Sequence, residues 1–389
     1  MDRRVMIFAG EASGDMYGGL LAGALRGSDP GLRLSGIGGD AMAAAGVDLT
    51  VHIRELSVMG IWEVLRDLRR LRKVLEKAKS AMKAQKPDGL VLIDFYRFNI
   101  ELAREAKKLG IPVVYYVAPK LWAWGKGRIV EMDSLVARVL AIFPFEEEFY
   151  RSHGVPVTYV GNPLMELLAA TDAGPLREEL ALVEDETVIS LLPGSRNPEV
   201  RMLLPVFLEA SALLSRDLGG KVRILVPRAH TIPRAEMERM IDQSGVKATI
   251  IDGRSREALV LSDLALVASG TATLEAFLLG VPQVVAYRMA RLTYHIAKRL
   301  FKLPRFSLPN IVVGREVVTE LLQDEVTPER LAATALNLIG NEEARRDYLA
   351  AGVEMKKVLK GEEASRLAAG QCAAVFGFDD GQADGDQAL

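Results

Sequence analysis

The fold class follows from a short apolar run near the start of the chain that leads directly into a glycine-rich turn: Val5-Met6-Ile7-Phe8-Ala9-Gly10-Glu11-Ala12-Ser13-Gly14-Asp15. Five apolar residues in succession are typical of a strand buried on both faces, and the glycines predict a tight turn into a helix. The same arrangement returns at Val188–Leu192, which leads into Pro193-Gly194-Ser195-Arg196. A strand–turn–helix unit that restarts midway predicts two Rossmann-like, doubly wound α/β domains with a ligand cleft between them.

Length and composition restrict the class of protein further. The 389 residues suit two domains of ordinary size, and 49% hydrophobic with 26% charged residues indicates a soluble globular protein. A formal charge of -2 argues against a nucleic-acid partner, and no apolar run approaches the roughly 20 residues of a membrane span. The single cysteine, Cys372, argues against disulfides and a cysteine-based metal site, so we expect a cytoplasmic protein without metal or cofactor.

Breaks in the pattern predict the domain boundaries. Gly161-Asn162-Pro163 interrupts the first series of strands, and a polar stretch follows it. We therefore predict a first domain over 1–165, a second over 166–345, and helices over 346–376 that pack back onto the first domain or onto a partner's. The Asp- and Gly-rich tail over 377–389 is expected to be disordered.

Two predicted strand ends in the second half carry residues suited to phosphate. Gly194, Ser195 and Arg196 open a helix, where backbone N–H groups, the helix dipole and a permanent cation converge. Ser269-Gly270-Thr271 follows another strand, and Glu275, one turn into the next helix, can accept hydrogen bonds from ribose hydroxyls. An ordinary capped turn is the alternative for each. Together they favour a nucleotide diphosphate site.

Other polar residues lie where a second substrate would bind. Asp94 follows the buried strand Leu90–Ile93, where a carboxylate can take a proton from an attacking hydroxyl, or only cap a helix. Glu11 and Ser13 in the first turn predict contact with a sugar or acceptor, with a simple capped turn as the alternative. Asn310 can hydrogen-bond a sugar or phosphate, although a plain loop fits nearly as well.

The loop that contains Trp122-Ala123-Trp124 follows the strand Val113–Val117. Two tryptophans there can wall a pocket for a sugar ring or an acyl chain. They can equally well close the top of the sheet.

Two basic, amphipathic stretches indicate contact with an anionic membrane. Between positions 61 and 86 there are nine basic and three acidic residues, and between 288 and 305 six basic and no acidic ones. In the first stretch, apolar and basic side chains at helical spacing predict an interfacial helix. The residues expected to contact lipid are Trp62, Leu65, Leu68, Arg69, Arg72 and Lys73. The alternative for each stretch is a packed helix with a solvated charged face.

The ordered motifs together resemble the lipid A disaccharide synthases, inverting glycosyltransferases with two Rossmann-like domains (the GT-B fold). The likeness runs from about Val5 to Leu336, and its motifs are 10–15, 58–60, 93–94, 122–124, 192–196, 268–272 with 274–275, and 307–310. The resemblance implies a UDP-2,3-diacylglucosamine donor and a 2,3-diacylglucosamine 1-phosphate acceptor, joined as a β-1,6 disaccharide 1-phosphate with release of UDP. It also implies a cytoplasmic enzyme held peripherally at the inner membrane; a homodimer is left open.

By position, the resemblance assigns Asp94 as the base, Arg196 and Glu275 to the nucleotide site, and Asn310 to activity. The family usually reads Ile-Asp-Ala/Ser-Pro-Asp-Phe-Asn around the base, whereas Phe95-Tyr96-Arg97 stand here at the middle three positions. The second acid is thus replaced by a cation. Another UDP-N-acetylglucosamine transferase, a UDP-sugar epimerase and a non-catalytic nucleotide-sugar-binding protein are the alternative functions.

Overall fold

A computed structural model describes residues 3–56, 64–124, 126–219, 221–289, 294 and 305–378. Contacts divide the chain into two compact units. One comprises Met1–Glu166 together with the chain from Leu359 onward, and the other comprises Leu167–Val358. The last helices predicted from the sequence are therefore shared between the two units.

Each unit is built on one parallel sheet. The strands of the described residues are β1 Arg4–Ala9, β2 Arg33–Gly38, β3 Asp48–His52, β4 Gly89–Ile93, β5 Val113–Tyr116, β6 Arg138–Ala141, β7 Val157–Tyr159, β8 Glu186–Leu192, β9 Lys221–Arg228, β10 Ala248–Asp252, β11 Leu264–Ala268, β12 Gln283–Tyr287 and β13 Thr319–Leu322. The first sheet has the order β3-β2-β1-β4-β5-β6-β7 and the second β10-β9-β8-β11-β12-β13. Both orders reverse direction beside their first strand, which is the doubly wound arrangement that the sequence predicts.

Helices connect the strands. Those of the described residues are α1 Ala12–Ser28, α2 Asp40–Ala44, α3 Val64–Gln85, α4 Tyr96–Lys108, α5 Leu121–Trp124, α6 Ile129–Leu135, α7 Pro144–Ser152, α8 Leu164–Ala169, α9 Gly174–Glu179, α10 Asn197–Leu218, α11 Arg234–Ser244, α12 Ser255–Val260, α13 Thr271–Leu279, α14 Leu308–Val313, α15 Pro328–Gly340, α16 Glu342–Leu359 and α17 Ala364–Phe376. In this part of the chain no helix is long and apolar enough to cross a bilayer.

Both faces of the first sheet are buried. Met6 and Phe8 of β1 belong to a core that includes side chains of α3, α4 and α6. Val5 and Ile7 alternate with them and are equally buried, on the face covered by α1 and α17. A Cβ atom on Gly89 of β4 would lie 2.3 Å from the Phe376 ring, so the strand and α17 are in direct contact. The final helix thus completes the first unit.

The second sheet is covered in the same way. One face packs against α10, α11 and α15 through a core that includes Leu191, Phe207 and Leu266. The other face packs against α12 and α13 through residues such as Leu259 and Val267. Because both faces are covered, the ends of the strands are the places in each unit where a ligand can reach polar backbone groups.

Candidate functional site

In the first unit the strand order reverses between β1 and β4, so the turns after these two strands are neighbours. A Cβ atom on Gly10 would lie 2.4 Å from the Phe95 ring, which shows that the turns are in contact. Residues after the carboxyl ends of strands at such a reversal are the usual ligand-binding residues of doubly wound sheets. The structure therefore places Glu11, Ser13 and Asp94 at one edge of one sheet.

Asp94 has a strained backbone that neighbouring side chains hold in place. Its φ is +45° and that of Phe95 is +41°, a region that non-glycine residues seldom adopt. The Asp94 carbonyl accepts a hydrogen bond from Asn99 Nδ2 at 2.8 Å and another from the Tyr115 hydroxyl. The side chain itself is half-buried. Backbone strain that surrounding contacts hold in place is common at active sites. It therefore supports the assignment of Asp94 to such a site.

The acidic residues of the first turn differ in their roles. Asp15 is buried and accepts hydrogen bonds from the backbone N–H groups of Gly39, Ala41 and Met42 at 2.6, 3.0 and 3.1 Å. It therefore caps α2, whereas α1 has no side-chain cap. The alternative for this turn was a simple capped turn. A cap is present, but it stabilises α2 and not α1, the helix that the turn begins. Glu11 and Ser13 remain half-buried at the sheet edge.

In the second unit the strand order reverses between β8 and β11, and the two predicted phosphate turns flank this point. Gly194 has φ +114°, and a Cβ atom there would lie 2.5 Å from Glu199 Oε2, so only glycine fits. Arg196 lies at the N-cap of α10 and is exposed, with Nη1 3.1 Å from Glu199 Oε1. An exposed pair of this kind is worth about 1 kcal/mol or less, so the guanidinium can exchange it for a phosphate.

The second turn is tied to a later segment of the same unit. Ser269 Oγ donates to the Phe306 carbonyl at 3.1 Å, and Thr273 Oγ1 donates to the Gly270 carbonyl at 2.7 Å. Thr271 is the first residue of α13, so the free N–H groups of that helix begin at this turn. Since β8 and β11 are adjacent and parallel, the turns at 194–196 and 269–271 lie at the same edge.

Glu275 lies on α13 and is only 5% exposed. Burial raises the pKa of its carboxyl group, while Arg256 acts in the opposite direction. Arg256 Nη1 lies 3.8 Å from Glu275 Oε1. Sequence reasoning missed Arg256, although the turn Asp252-Gly253-Arg254-Ser255-Arg256 after β10 was a signal of the same kind as the one at Arg196.

Asn310 is buried, and its side-chain amide is fully hydrogen-bonded. Nδ2 donates to the Val318 carbonyl and to Glu320 Oε1, both at 2.8 Å. Oδ1 accepts from the backbone N–H groups of Val317 at 2.7 Å and Val318 at 3.0 Å. Glu320 also accepts from the Ser307 hydroxyl and backbone. These contacts give Asn310 a structural role beside the 269–271 turn; its direct contact with a sugar or phosphate stays a prediction.

The helix predicted to touch a membrane is partly packed. On α3, Val74, Ala78 and Met82 belong to the core of the first unit, so this part of its apolar stripe faces the sheet. Arg69, Arg72 and Lys73 are exposed. Trp62 and the side chains of Leu65 and Leu68 lie outside the described residues, as do Val58-Met59-Gly60 and most of the basic stretch 288–305. The tail beyond 378 does too.

The remaining side chains that could bind a metal ion or act as a nucleophile are His, Asp and Glu residues and the one thiol, Cys372. Among the described residues, no group of three or more His, Cys, Asp or Glu side chains is arranged to hold a metal ion. Cys372 is buried, and burial raises the pKa of its thiol to about 12. A thiol of this kind is a poor nucleophile.

Comparison with known proteins identifies the family. The sequence profile described as lipid-A-disaccharide synthetase matches residues 5–376. The chain belongs to the lipid-A-disaccharide synthetase family. It is 43% identical over 373 residues to the lipid-A-disaccharide synthase of Myxococcus xanthus, covering 96% of this chain and 94% of the relative. It is 42% identical over 344 residues to that of Pseudomonas entomophila, covering 88% and 91%.

Solved structures agree on the architecture. A calicheamicin glycosyltransferase matches with a TM-score of 0.59 at 16% identity, covering 97% of this chain and 99% of that one. A UDP-GlcNAc 2-epimerase from Neisseria meningitidis matches with a TM-score of 0.61 at 13% identity, covering 92% and 99%. At such low identity these matches show the fold alone. These matches confirm the predicted GT-B class, and the family model and the curated relatives confirm the prediction of a glycosyltransferase of lipid A biosynthesis.

Proposed function

We propose that this synthetase family member transfers 2,3-diacylglucosamine from its UDP carrier to the 6-hydroxyl of 2,3-diacylglucosamine 1-phosphate, with inversion at the anomeric carbon. The observation that carries the proposal is the pair of turns at 194–196 and 269–271, which lie side by side where the second sheet reverses. Each begins a helix, so two helix N-termini and the Arg196 guanidinium lie at the end of the sheet where one diphosphate would bind.

The donor occupies the second unit in this proposal. The diphosphate lies against Ser195, Arg196 and the 269–271 turn, and the ribose hydroxyls donate to Glu275. Arg256, 3.8 Å from that carboxylate, keeps it oriented and opposes the rise in its pKa that burial causes. Donors that are already in place when charge develops on a leaving phosphate lower the barrier without reorganisation.

The acceptor binds at the edge of the first unit, beside Glu11, Ser13 and Asp94. The Asp94 carboxylate removes the proton of the 6-hydroxyl as its oxygen forms a bond to the anomeric carbon. The bond from that carbon to the β-phosphate oxygen breaks, and UDP leaves with the bonding electrons. Attack from the face opposite UDP inverts the configuration.

A membrane surface supplies both lipids in this account. Exposed Arg69, Arg72 and Lys73 on α3 lie on the side of the helix turned away from the core residues Val74 and Ala78. Cations in this position attract an anionic leaflet. We infer a peripheral protein at the cytoplasmic face of the inner membrane, as a homodimer or a monomer.

The Asp94→Asn variant tests the chemical step. The amide cannot accept the proton, so turnover should fall by about 10²–10⁴-fold, the usual contribution of general-base catalysis. UDP release from the two lipid substrates measures turnover, and titration calorimetry should give unchanged UDP binding, because the donor residues are intact.

Asp133→Asn, at an exposed position of α6, is the matched control and should keep full turnover. Turnover of Asp94→Asn within a few-fold of the unmodified protein would remove Asp94 from the role of base.

A further inference from the structure

The mechanism above leaves one buried acid unused. Glu146 lies in the first turn of α7, at the carboxyl end of β6, and is 2% exposed. Strands β4, β5 and β6 are adjacent in the sheet, so Glu146 lies at the same edge as Asp94, two strands away. A carboxyl group buried without a partner cation is costly to retain, which makes its contacts informative.

The two carboxyl oxygens of Glu146 have different surroundings. Oε1 accepts a hydrogen bond from Trp122 Nε1 at 3.4 Å, at the long end of the range for such bonds. Oε2 is buried with no hydrogen-bond partner in the described part of the chain. Burial raises the pKa of this carboxyl group to about 8, although Trp122 and the cation of Lys120 act in the opposite direction. Burial therefore favours the neutral form of the group.

Helix α7 holds the loop after β5 at two points, one helical turn apart. Besides the bond from Trp122 to Glu146, the Tyr150 hydroxyl donates to the Pro119 carbonyl at 2.6 Å. The loop needs such support, because Val117 at its start has φ +60°, which is strained for a β-branched residue. Glu146 and Tyr150 thus fix the position from which Trp122 projects.

Trp122 is part of an aromatic cluster that we call the aromatic shelf, made of Trp122, Phe143 and Phe145. The rings of Trp122 and Phe145 meet edge to face with centroids 5.1 Å apart, and those of Phe143 and Phe145 stack at 5.6 Å. Trp122 and Phe145 are half-buried, so part of the shelf's apolar surface is accessible at the edge that carries Asp94. An accessible apolar surface of aromatic rings suits a hydrocarbon chain rather than a sugar hydroxyl.

We propose that Glu146 is a positioning residue that holds Trp122 in the aromatic shelf, and that this shelf binds an acyl chain of the acceptor. The inference rests on the proposed function, since it assumes a diacylated acceptor at this edge. Glu146 contacts no reacting atom in this account. It acts through Trp122, and its removal should change the affinity for the acyl chain and leave the chemical step intact.

The test is steady-state kinetics with two acceptors, 2,3-diacylglucosamine 1-phosphates that carry short or long acyl chains. In Glu146→Leu and Trp122→Leu the KM for the long-chain acceptor should rise about tenfold, equivalent to the loss of roughly two buried methylene groups. The KM for the short-chain acceptor, the KM for the UDP-sugar and kcat should stay within twofold. Glu146→Gln should behave like the unmodified protein, because the amide oxygen still accepts from the indole.

A matched control separates the shelf from general packing. Phe149→Leu changes another half-buried aromatic residue of α7, which packs against Tyr150 and His153 instead of the shelf, and should leave both KM values unchanged. Three results would overturn the inference: equal KM changes for both acceptors, a loss of kcat in Glu146→Leu, or a long-chain KM in Glu146→Gln that differs from that of the unmodified protein. If the Leu variants do not fold, the same KM comparison is made with Glu146→Gln and Trp122→Phe. Phe at position 122 keeps an aromatic ring but lacks the indole N–H.

The outcome also separates this inference from the proposed function. If the unmodified protein forms no disaccharide from either acceptor, both fail. If it forms the disaccharide but the variants show no chain-length effect, only the aromatic shelf is wrong.

Discussion

At the scale of single residues, Asp94 and Phe95 show how the sheet edge that carries Asp94 is held in place. Two successive non-glycine residues with positive φ cost on the order of 1–3 kcal/mol each, which the hydrogen bonds from Asn99 and Tyr115 to the Asp94 carbonyl offset. The Phe95 ring lies directly over Gly10. Phe95, one of the three residues that depart from the family pattern, is thus accommodated by a glycine on the neighbouring turn.

The contact between Gly10 and Phe95 predicts a specific clash. In Gly10→Ala the new Cβ atom would lie 2.4 Å from the ring, so Phe95 must move. We expect a loss of about 1–3 kcal/mol in the free energy of unfolding, the usual cost of overpacking, and a lower turnover as Asp94 shifts with its neighbour. Urea denaturation measures the first effect and UDP release the second.

Two further variants make this test specific. Gly23→Ala on α1 places its Cβ atom in open space and should stabilise the protein by up to about 1 kcal/mol, as expected for an exposed helix position. Phe95→Ala combined with Gly10→Ala should recover part of the lost stability. Equal unfolding free energies for Gly10→Ala and Gly23→Ala would mean that the turns after β1 and β4 do not touch.

Glu146 predicts a pH dependence of stability. Its pKa is about 8 in the folded protein against 4.5 for the ordinary carboxyl group, so the folded state binds the extra proton. The stabilisation linked to this proton is fully present below about pH 4.5 and is lost as the pH rises to about 8. Relative to Glu146→Gln, the unfolding free energy should fall by about 1 kcal/mol per pH unit across that window.

Denaturant titrations between pH 5 and 8 measure this slope. Glu148→Gln, an exposed position on the same helix, is the control and should keep the slope of the unmodified protein. Parallel stability curves for the unmodified protein and Glu146→Gln would show that Glu146 ionises normally.

Residue types at strand ends predicted part of the arrangement of the candidate site. The sequence placed Asp94, the 194–196 turn and the 269–271 turn after strands, and the structure brings the two turns to one sheet edge. It did not indicate that Asp15 caps α2, or that Glu146 is buried against Trp122. Those contacts join residues far apart in the sequence, and no local pattern encodes them.

At the scale of elements, α3 has two sides with different surroundings. Its core side packs on the sheet through Val74, Ala78 and Met82, while Arg69, Arg72 and Lys73 face solvent. The charge reversal Arg69→Glu/Arg72→Glu/Lys73→Glu should therefore fold normally. Binding to anionic vesicles should weaken by about 100-fold or more, at roughly 1 kcal/mol per charge near such a surface.

Sedimentation with phosphatidylglycerol vesicles measures this binding, which should also weaken with added salt. The control reverses three exposed charges of the second unit, Arg177, Arg216 and Arg345, and should bind vesicles as the unmodified protein does. Equal binding of both triple variants would place the membrane contact elsewhere.

Three strands have weak sequence patterns, each for a local reason. The strand β2 reads Arg-Leu-Ser-Gly-Ile-Gly, without the β-branched run that predicts a buried strand. Gly36 within it occupies a bulge where any Cβ atom would lie 1.9 Å from the Ile7 carbonyl oxygen. The neighbouring β3 and the edge strand β13 are short and half-buried, so their patterns are weak.

At the scale of the whole molecule, the chain crosses from the second unit back to the first near Leu359. The sequence predicted that helices over 346–376 pack onto the first domain or onto a partner's, and it did not indicate the residue at which the chain changes units. In the structure α16 belongs to the second unit, where the Tyr348 hydroxyl donates to the Val281 carbonyl, and α17 belongs to the first. Helix α16 is rich in charged residues and α17 is largely apolar, but neither composition indicates which sheet the helix packs against.

The central claim is that two doubly wound units of this family member join two acylated glucosamines. The most direct measurement is mass spectrometry, with NMR of the linkage, on the products formed from UDP-2,3-diacylglucosamine and 2,3-diacylglucosamine 1-phosphate. The account predicts one tetraacylated disaccharide 1-phosphate with a β-1,6 bond and one equivalent of UDP. A UDP-sugar epimer, or both substrates recovered unchanged with active unmodified protein, would contradict it.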